Sequence, residues 1–110
     1  EISNRRINWI IGLEYKSTTK QLKNICNDIE NKIISRKKNF SVNEATPVIV
    51  KIFEFSDSSI NILVRCFTKT NDYNQLLEAK NELAVDIKEI VEKRGGAFAF
   101  PSQSIYVEKN

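Results

Sequence analysis

Residues that commonly support catalysis or metal binding are scarce in this sequence. Its 110 residues include no histidine, two cysteines and three glycines. Zinc sites need clustered Cys and His, and phosphate-binding loops need a run of glycines that Gly12, Gly95 and Gly96 do not form. We therefore expect no catalytic residues, no metal and no other cofactor. Cys26 and Cys66 are expected to be buried free thiols, and a disulfide between them is the alternative.

Long hydrophobic runs are also missing. No apolar run approaches the roughly 20 residues that a membrane helix needs, and the longest, 7–13 and 60–64, have the length of strands. The chain opens on Glu1, without Met and without a signal-peptide pattern, so we expect a soluble fragment of a longer protein. The net charge of +3 is too small, and its basic residues too scattered, to indicate a nucleic-acid partner.

Hydrophobic periodicity predicts six secondary-structure elements. The predicted strands are Arg5–Tyr15, Pro47–Phe55, Ile60–Thr68 and Ser104–Glu108, and the predicted helices are Thr19–Arg36 and Tyr73–Arg94. The second and third strands read as a hairpin, and Asn39–Thr46 reads as a polar connector. Gly12 lies inside the first strand and indicates a bulge or a close backbone approach.

The two predicted helices each carry one apolar stripe. Residues three and four positions apart lie on the same helix face. The predicted buried stripe of the first helix is Leu22, Ile25, Cys26, Ile29 and Ile33. That of the second is Leu76, Leu77, Leu83, Ala84, Ile87, Ile90 and Val91.

The predicted order β-α-β-β-α-β is typical of a ferredoxin-like sandwich. In this α+β fold, one antiparallel sheet has two helices on one face. We expect one such domain over residues 1–110. RNA-recognition domains share the order, but they carry base-stacking aromatics on the third strand, where this chain has only Phe67. An RNA-binding module and a small-molecule-sensing module therefore stay as the alternatives.

Three segments resemble the small-conductance mechanosensitive channel family. Residues 5–18 have a basic start, an apolar strand with an internal glycine, then Tyr15 and a helix cap. Residues 57–67 have a Ser-rich turn, then a strand with Asn61 and Arg65 and a terminal aromatic. Residues 98–107 form an aromatic-Pro-x-Gln turn into a last strand. Ser102 is a departure, because some members have a second proline there.

The resemblance implies a structural role rather than an enzymatic one. The intact protein would have membrane helices, a small β domain and then this domain, on the cytoplasmic side of the bacterial inner membrane. Seven copies would form a vestibule through which ions and small solutes pass. Membrane tension would open the pore during osmotic downshock, and nucleic acid would not be a partner. The membrane would be contacted only through the upstream segments.

The aromatic turn and the short strand after it are the candidate subunit interface. Edge strands expose pairing surfaces that natural proteins usually protect. We expect this segment to contact a neighbouring subunit, the alternative being that Phe98 and Phe100 fill the core. The candidate interface residues are Phe98, Phe100, Pro101, Gln103 and Tyr106.

Overall fold

The computed structural model describes residues 5–69 and 72–99, in which two helices and four strands are found. The elements in chain order are β1 (Arg6–Leu13), α1 (Thr19–Ser35), β2 (Phe40–Ser41), β3 (Ile49–Phe55), β4 (Ile60–Thr68) and α2 (Tyr73–Lys93). None of these helices is both long enough and apolar enough to span a membrane. The predicted last strand, Ser104–Glu108, lies outside the described residues.

All four strands form one antiparallel sheet with β4 in its centre. β1 pairs with one edge of β4, while β3 and β2 pair with successive parts of the other edge. Alternate residues of β4, from Ile60 to Thr68, are buried beneath the helices, as period-two geometry requires. The helices and this sheet confirm the predicted α+β class, and the strand order fits a ferredoxin-like sandwich.

Local signals in the sequence place the ends of both helices. Thr18 caps α1 through a capping box with Gln21, in which each residue hydrogen-bonds the backbone N–H of the other. The Asp72 carboxylate caps α2 by accepting from the backbone N–H of Gln75. Gly95, just beyond α2, has a φ of +79°, which an L side chain would rarely adopt. The predicted glycine stop of this helix is therefore confirmed.

Several details differ from the predicted elements. The polar connector 39–46 contains the short strand β2, which forms because its residues pair with the end of β4. Leu77 and Ala84 lie on the exposed side of α2, and Ala79 and Asp86 are buried instead. The buried stripe follows steps of three and four residues from Leu76, which Leu77 and Ala84 do not fit.

Gly12 makes a close approach rather than a bulge. Its pairing with β4 continues without a register shift. A Cβ built at this position would lie 3.2 Å from both the Cβ and the Oγ of Ser59. The missing side chain therefore lets β1 pass beside the turn between β3 and β4.

The two helices run antiparallel and are joined by two arginine–aspartate pairs. Arg36, which ends α1, donates from Nε and Nη2 to the Asp86 carboxylate at 2.6 and 3.0 Å. Arg94, which ends α2, donates in the same two-pronged way to Asp28 at 2.6 and 3.2 Å. These hydrogen bonds raise the pKa of both arginines, so both stay charged.

Removing Asp86 should weaken the fold. The Asp86 side chain is only 7% exposed, whereas that of Arg36 is 33% exposed. Water can therefore solvate part of the Arg36 guanidinium once Asp86 is removed, which limits the loss of stability. We expect Asp86→Ala to lower the free energy of unfolding by about 1–2 kcal/mol, measured by urea denaturation of the domain. Glu89→Ala, at an exposed position of the same helix, is the control and should change it by less than about 0.5 kcal/mol. Equal effects of the two substitutions would contradict the prediction.

Both cysteines are free thiols in the structure. Cys66 is buried in β4, and Cys26 is half-buried on α1. Burial raises the pKa of the Cys66 thiol to about 12. The folded protein therefore keeps this thiol protonated at pH values where an unfolded chain has ionised it.

Stability should therefore fall at alkaline pH in a way that depends on Cys66. An unfolded thiol titrates near pH 8.5, whereas the folded one keeps its proton up to about pH 12. Between these values the unfolded state binds fewer protons, so the free energy of unfolding falls by up to about 1.4 kcal/mol per pH unit. Urea titrations at pH 9 and 10.5 should show a smaller fall for Cys66→Ala than for the unsubstituted chain. Identical slopes would refute the assignment.

Candidate subunit-contact surface

The described residues contain no cluster of side chains that could bind a metal ion. Within 5–69 and 72–99, no group of three or more His, Cys, Asp or Glu side chains could hold a metal ion. A groove of about 420 Å³ lies between α1 and α2. Its lining includes Asp28, Asp86 and Arg94, which already bind one another or Arg36 across the helices. The remaining candidates are surfaces.

The predicted aromatic turn starts on the outer edge of β1. Phe98 forms a bridge with Leu13, flanked by backbone hydrogen bonds from Glu14 N to Ala97 O and from Ala99 N to Gly12 O, each 3.0 Å. The Phe98 side chain is partly buried and packs against the core. This part of the turn therefore contributes to the core. The other predicted interface residues, Phe100, Pro101, Gln103 and Tyr106, lie outside the described residues.

A second surface, formed by β3 and the turn that follows β1, was not predicted from the sequence. Four large side chains there are exposed: Tyr15 by 49%, Ile52 by 43%, Phe53 by 57% and Phe55 by 67%. We call these four residues the β3-edge patch. The rings of Tyr15 and Phe55 are in contact, and grouped exposed apolar side chains mark interaction sites more often than isolated ones do.

Two rings of the patch, those of Tyr15 and Phe55, are held against each other. Tyr15 and Phe55 stack with their ring centroids 6.3 Å apart and an angle of 23° between their planes. The Tyr15 hydroxyl also donates a hydrogen bond to the backbone carbonyl of Ser56. The ordering of this tyrosine does not have to occur on binding, which lowers the entropic cost of a contact.

The exposure of the patch follows from the course of β3. Its pairing with β4 shifts register between Ile52 and Glu54, so Phe53 is an extra residue in a bulge. Only Val50 of this strand is buried. On its outer side, β3 has no strand partner among the residues that the structure describes.

A signal for this surface is present in the sequence. A strand with one solvated face should alternate apolar and polar residues. The stretch 49–55 instead places apolar residues at both parities: Ile49, Val50, Ile52, Phe53 and Phe55. This excess of apolar residues on a strand next to a polar connector could have identified the surface.

Unfolding measurements can separate the surface role from the core role. Phe98→Ala removes a ring that packs against the core and should lower the free energy of unfolding by about 1–2 kcal/mol, less than for a fully buried Phe. Phe53→Ser removes an exposed ring and should change it by less than about 0.5 kcal/mol. Phe55→Ser also removes the stack with Tyr15 and should lower it by about 0.5–1 kcal/mol, still less than Phe98→Ala. A large loss at Phe55 and none at Phe98 would reverse the two assignments.

Sequence comparison connects the domain to a family. A sequence model described as "Mechanosensitive ion channel MscS, C-terminal" matches residues 7–98. An uncharacterized MscS family protein of Aquifex aeolicus is 37% identical over 107 residues, which cover 97% of this chain and 28% of that protein. The low conductance mechanosensitive channel YnaI of Escherichia coli is 35% identical over 108 residues, which cover 97% of this chain and 30% of that protein.

A solved structure supports the fold. The crystal structure of Helicobacter pylori MscS in its closed state superposes with a TM-score of 0.66 at 22% identity, covering 90% of this chain and 36% of that one. The chain thus spans under a third of the length of the two curated relatives. Because the family match extends over most of its residues, the chain belongs to the MscS family of mechanosensitive ion channels and carries the C-terminal domain of that family.

Proposed function

We propose that this chain is the cytoplasmic domain of a channel that membrane tension opens during osmotic downshock. The observation that carries the proposal is the match of residues 7–98 to the C-terminal domain of the MscS family, which is a family of ion channels rather than enzymes. In this proposal the domain forms part of a vestibule wall and performs no catalysis. Ions and small solutes pass the wall on their way to or from the pore.

The membrane part of the channel is proposed to lie in preceding segments. The matched region is 28% of the Aquifex aeolicus relative, which leaves most of such a protein for other parts. Those parts would hold the pore and its gate, in the bacterial inner membrane. This domain would lie on the cytoplasmic side, as a separate fold that needs no lipid around it.

Self-assembly is the second part of the proposal. A vestibule needs several copies, and we propose a homo-heptamer. The aromatic turn that begins at Phe98 is proposed to contact a neighbouring copy through Phe100, Pro101, Gln103 and Tyr106. In support, Phe98 anchors the start of this turn to the outer edge of β1, at one side of the sheet.

The sheet surface does not favour the RNA-binding alternative. The open face of β1 and β4, away from the helices, is formed by alternate residues of these two strands. Stacking of RNA bases uses aromatic rings at such positions. Among Arg6, Asn8, Ile10 and Gly12 of β1 and Asn61, Leu63, Arg65 and Phe67 of β4, only Phe67 is aromatic.

The full-length protein provides the functional test. We expect it to protect bacteria that lack their own mechanosensitive channels from lysis on dilution into low-osmolarity medium, and to give tension-activated currents in membrane patches. Asp86→Ala should reduce the number of active channels because it weakens the helix layer, whereas Glu89→Ala should not. The absence of upstream membrane spans, or of any tension-activated conductance, would refute the proposal.

A further inference from the structure

We propose that the corner between α1 and β2 binds a small amphiphilic anion, namely a carboxylate that carries a medium-length acyl chain. A groove of about 490 Å³ lies at this corner, and we call it the β2 groove. Its volume falls in the range of about 300–1,000 Å³ that is common for small-molecule sites. One copy of the chain forms the whole groove, so the proposal goes beyond the channel function and does not depend on it.

Apolar side chains line the β2 groove. Phe40, the first residue of β2, is 1% exposed and joins the groove to the core. Ile34 on α1 and Val42 just after β2 are 38% and 46% exposed, and both line the same groove. Exposed apolar side chains that converge on one cavity are stabilised when an apolar group covers them. The groove therefore favours a ligand with a hydrocarbon part.

The charged side chains of the groove are both cationic. Lys37, in the turn after α1, and Lys69, just beyond β4, line it and are exposed. No acidic side chain of residues 5–69 and 72–99 lines it, and the ion pairs found in these ranges do not include either lysine. A ligand in the groove meets uncompensated positive charge, which favours an anion over a cation.

The loop beside the groove is held by its own hydrogen bonds. The Asn43 side-chain oxygen accepts from the backbone N–H groups of Ala45 and Thr46 at 2.8 and 3.0 Å. The Ser41 and Thr46 hydroxyls hydrogen-bond each other at 3.0 Å. The loop therefore presents Val42 without being ordered by the ligand, which lowers the entropic cost of binding. Ser41 and Asn43 also line the groove, but these polar groups already have partners within the loop.

Backbone hydrogen bonds fix the opposite wall of the groove to β2. Phe40 pairs with Thr68 at the end of β4. The next residue, Lys69, donates from its backbone N–H to the carbonyl of Asn39 at 3.0 Å. The Phe40 N–H in turn donates to the carbonyl of Arg36, at the end of α1, at 3.1 Å. The two elements that carry the lysines are thus held on either side of one short strand.

Two neighbouring grooves suit such a ligand less well. In the groove between α1 and α2, Asp28 and Arg94 bind each other. A third groove, at the end of α1, is lined by Lys32 and Lys38 but also by Glu82, and no apolar side chain of the described residues lines it. It also lies at the carbonyl end of the helix, whose partial negative charge disfavours anions.

The combination of charge and apolar walls sets the ligand class. A lysine ammonium is a point charge on a flexible stem, so it recognises an anionic head group without demanding a fixed geometry. A small inorganic anion would leave Ile34 and Val42 uncovered, and an alkyl cation would be repelled by Lys37 and Lys69. A carboxylate with an acyl chain satisfies both parts of the groove.

Titration of the isotope-labelled 110-residue chain with octanoate, followed by NMR, tests the proposal. The backbone amide signals of residues 34–43 and 69 should shift along one saturable curve. Butyrate should bind at least about tenfold more weakly, because each buried methylene improves affinity by about fourfold. Octylammonium, with a chain of the same length and the opposite charge, should also bind at least about tenfold more weakly.

Matched substitutions separate the charge from the apolar contact. Lys37→Gln with Lys69→Gln should weaken octanoate binding by about fivefold. Lys20→Gln with Lys23→Gln, which removes the same charge from exposed positions at the other end of α1, should leave it unchanged. Val42→Ser should reduce the preference for octanoate over butyrate several-fold. Circular dichroism checks that each variant retains the fold, which these exposed positions permit.

Several results would overturn the proposal. One is a set of small shifts spread over the surface without saturation, and another is equal affinity for octanoate and octylammonium. Equal effects of the two lysine pairs would remove the β2 groove as the site. Binding of the chain to phosphatidylglycerol vesicles without binding to free octanoate would assign the lysines to a membrane surface instead.

Discussion

Each of the other three strands found in residues 5–69 and 72–99 pairs with β4. β1 pairs along one edge of β4, and β3 and β2 share the other edge, so within the described part of the chain no two named strands pair without β4. Its alternate residues from Ile60 to Thr68 are buried and form the floor on which the helices pack. Because hydrogen bonding on both edges and burial on one face all act on nine residues, the register of the sheet is strongly specified there.

The constraint is weaker at β3, which explains why the β3-edge patch is exposed. β4 holds β3 by one edge only, and the bulge at Phe53 turns the second half of the strand away from a regular pattern. The exposed apolar side chains of Ile52, Phe53 and Phe55 therefore lie together on this edge strand, where an isolated domain would be prone to aggregate. The same sheet presents Phe98 at its other edge, so the two surfaces are fixed relative to one another by β1 and β4.

The sequence predicted the elements well wherever the pattern was local. Helix α1 begins at Thr19 as predicted, because its capping box involves residues only three positions apart. The hairpin, the positive φ at Gly95 and the resemblance to the channel family were also predicted correctly. The details that were missed depend on distant partners. β2 exists because it meets Thr68, the burial of Asp86 depends on Arg36 fifty residues away, and the exposure of Phe55 depends on what the helices leave uncovered. Neither periodicity nor propensity contains that information.

The two arginine–aspartate pairs repeat one another along the chain. Asp86 lies 58 residues after Asp28, and Arg94 lies 58 residues after Arg36, so each half of the fold supplies one acceptor and one donor. On each helix the two residues are eight positions apart, which is about 12 Å along the axis. A single ion pair between two helices would still allow them to rotate about that point. Two ion pairs at separate points restrict the angle between the helices as well as the distance between them. The two pairs therefore oppose rotation of one helix against the other as well as their separation.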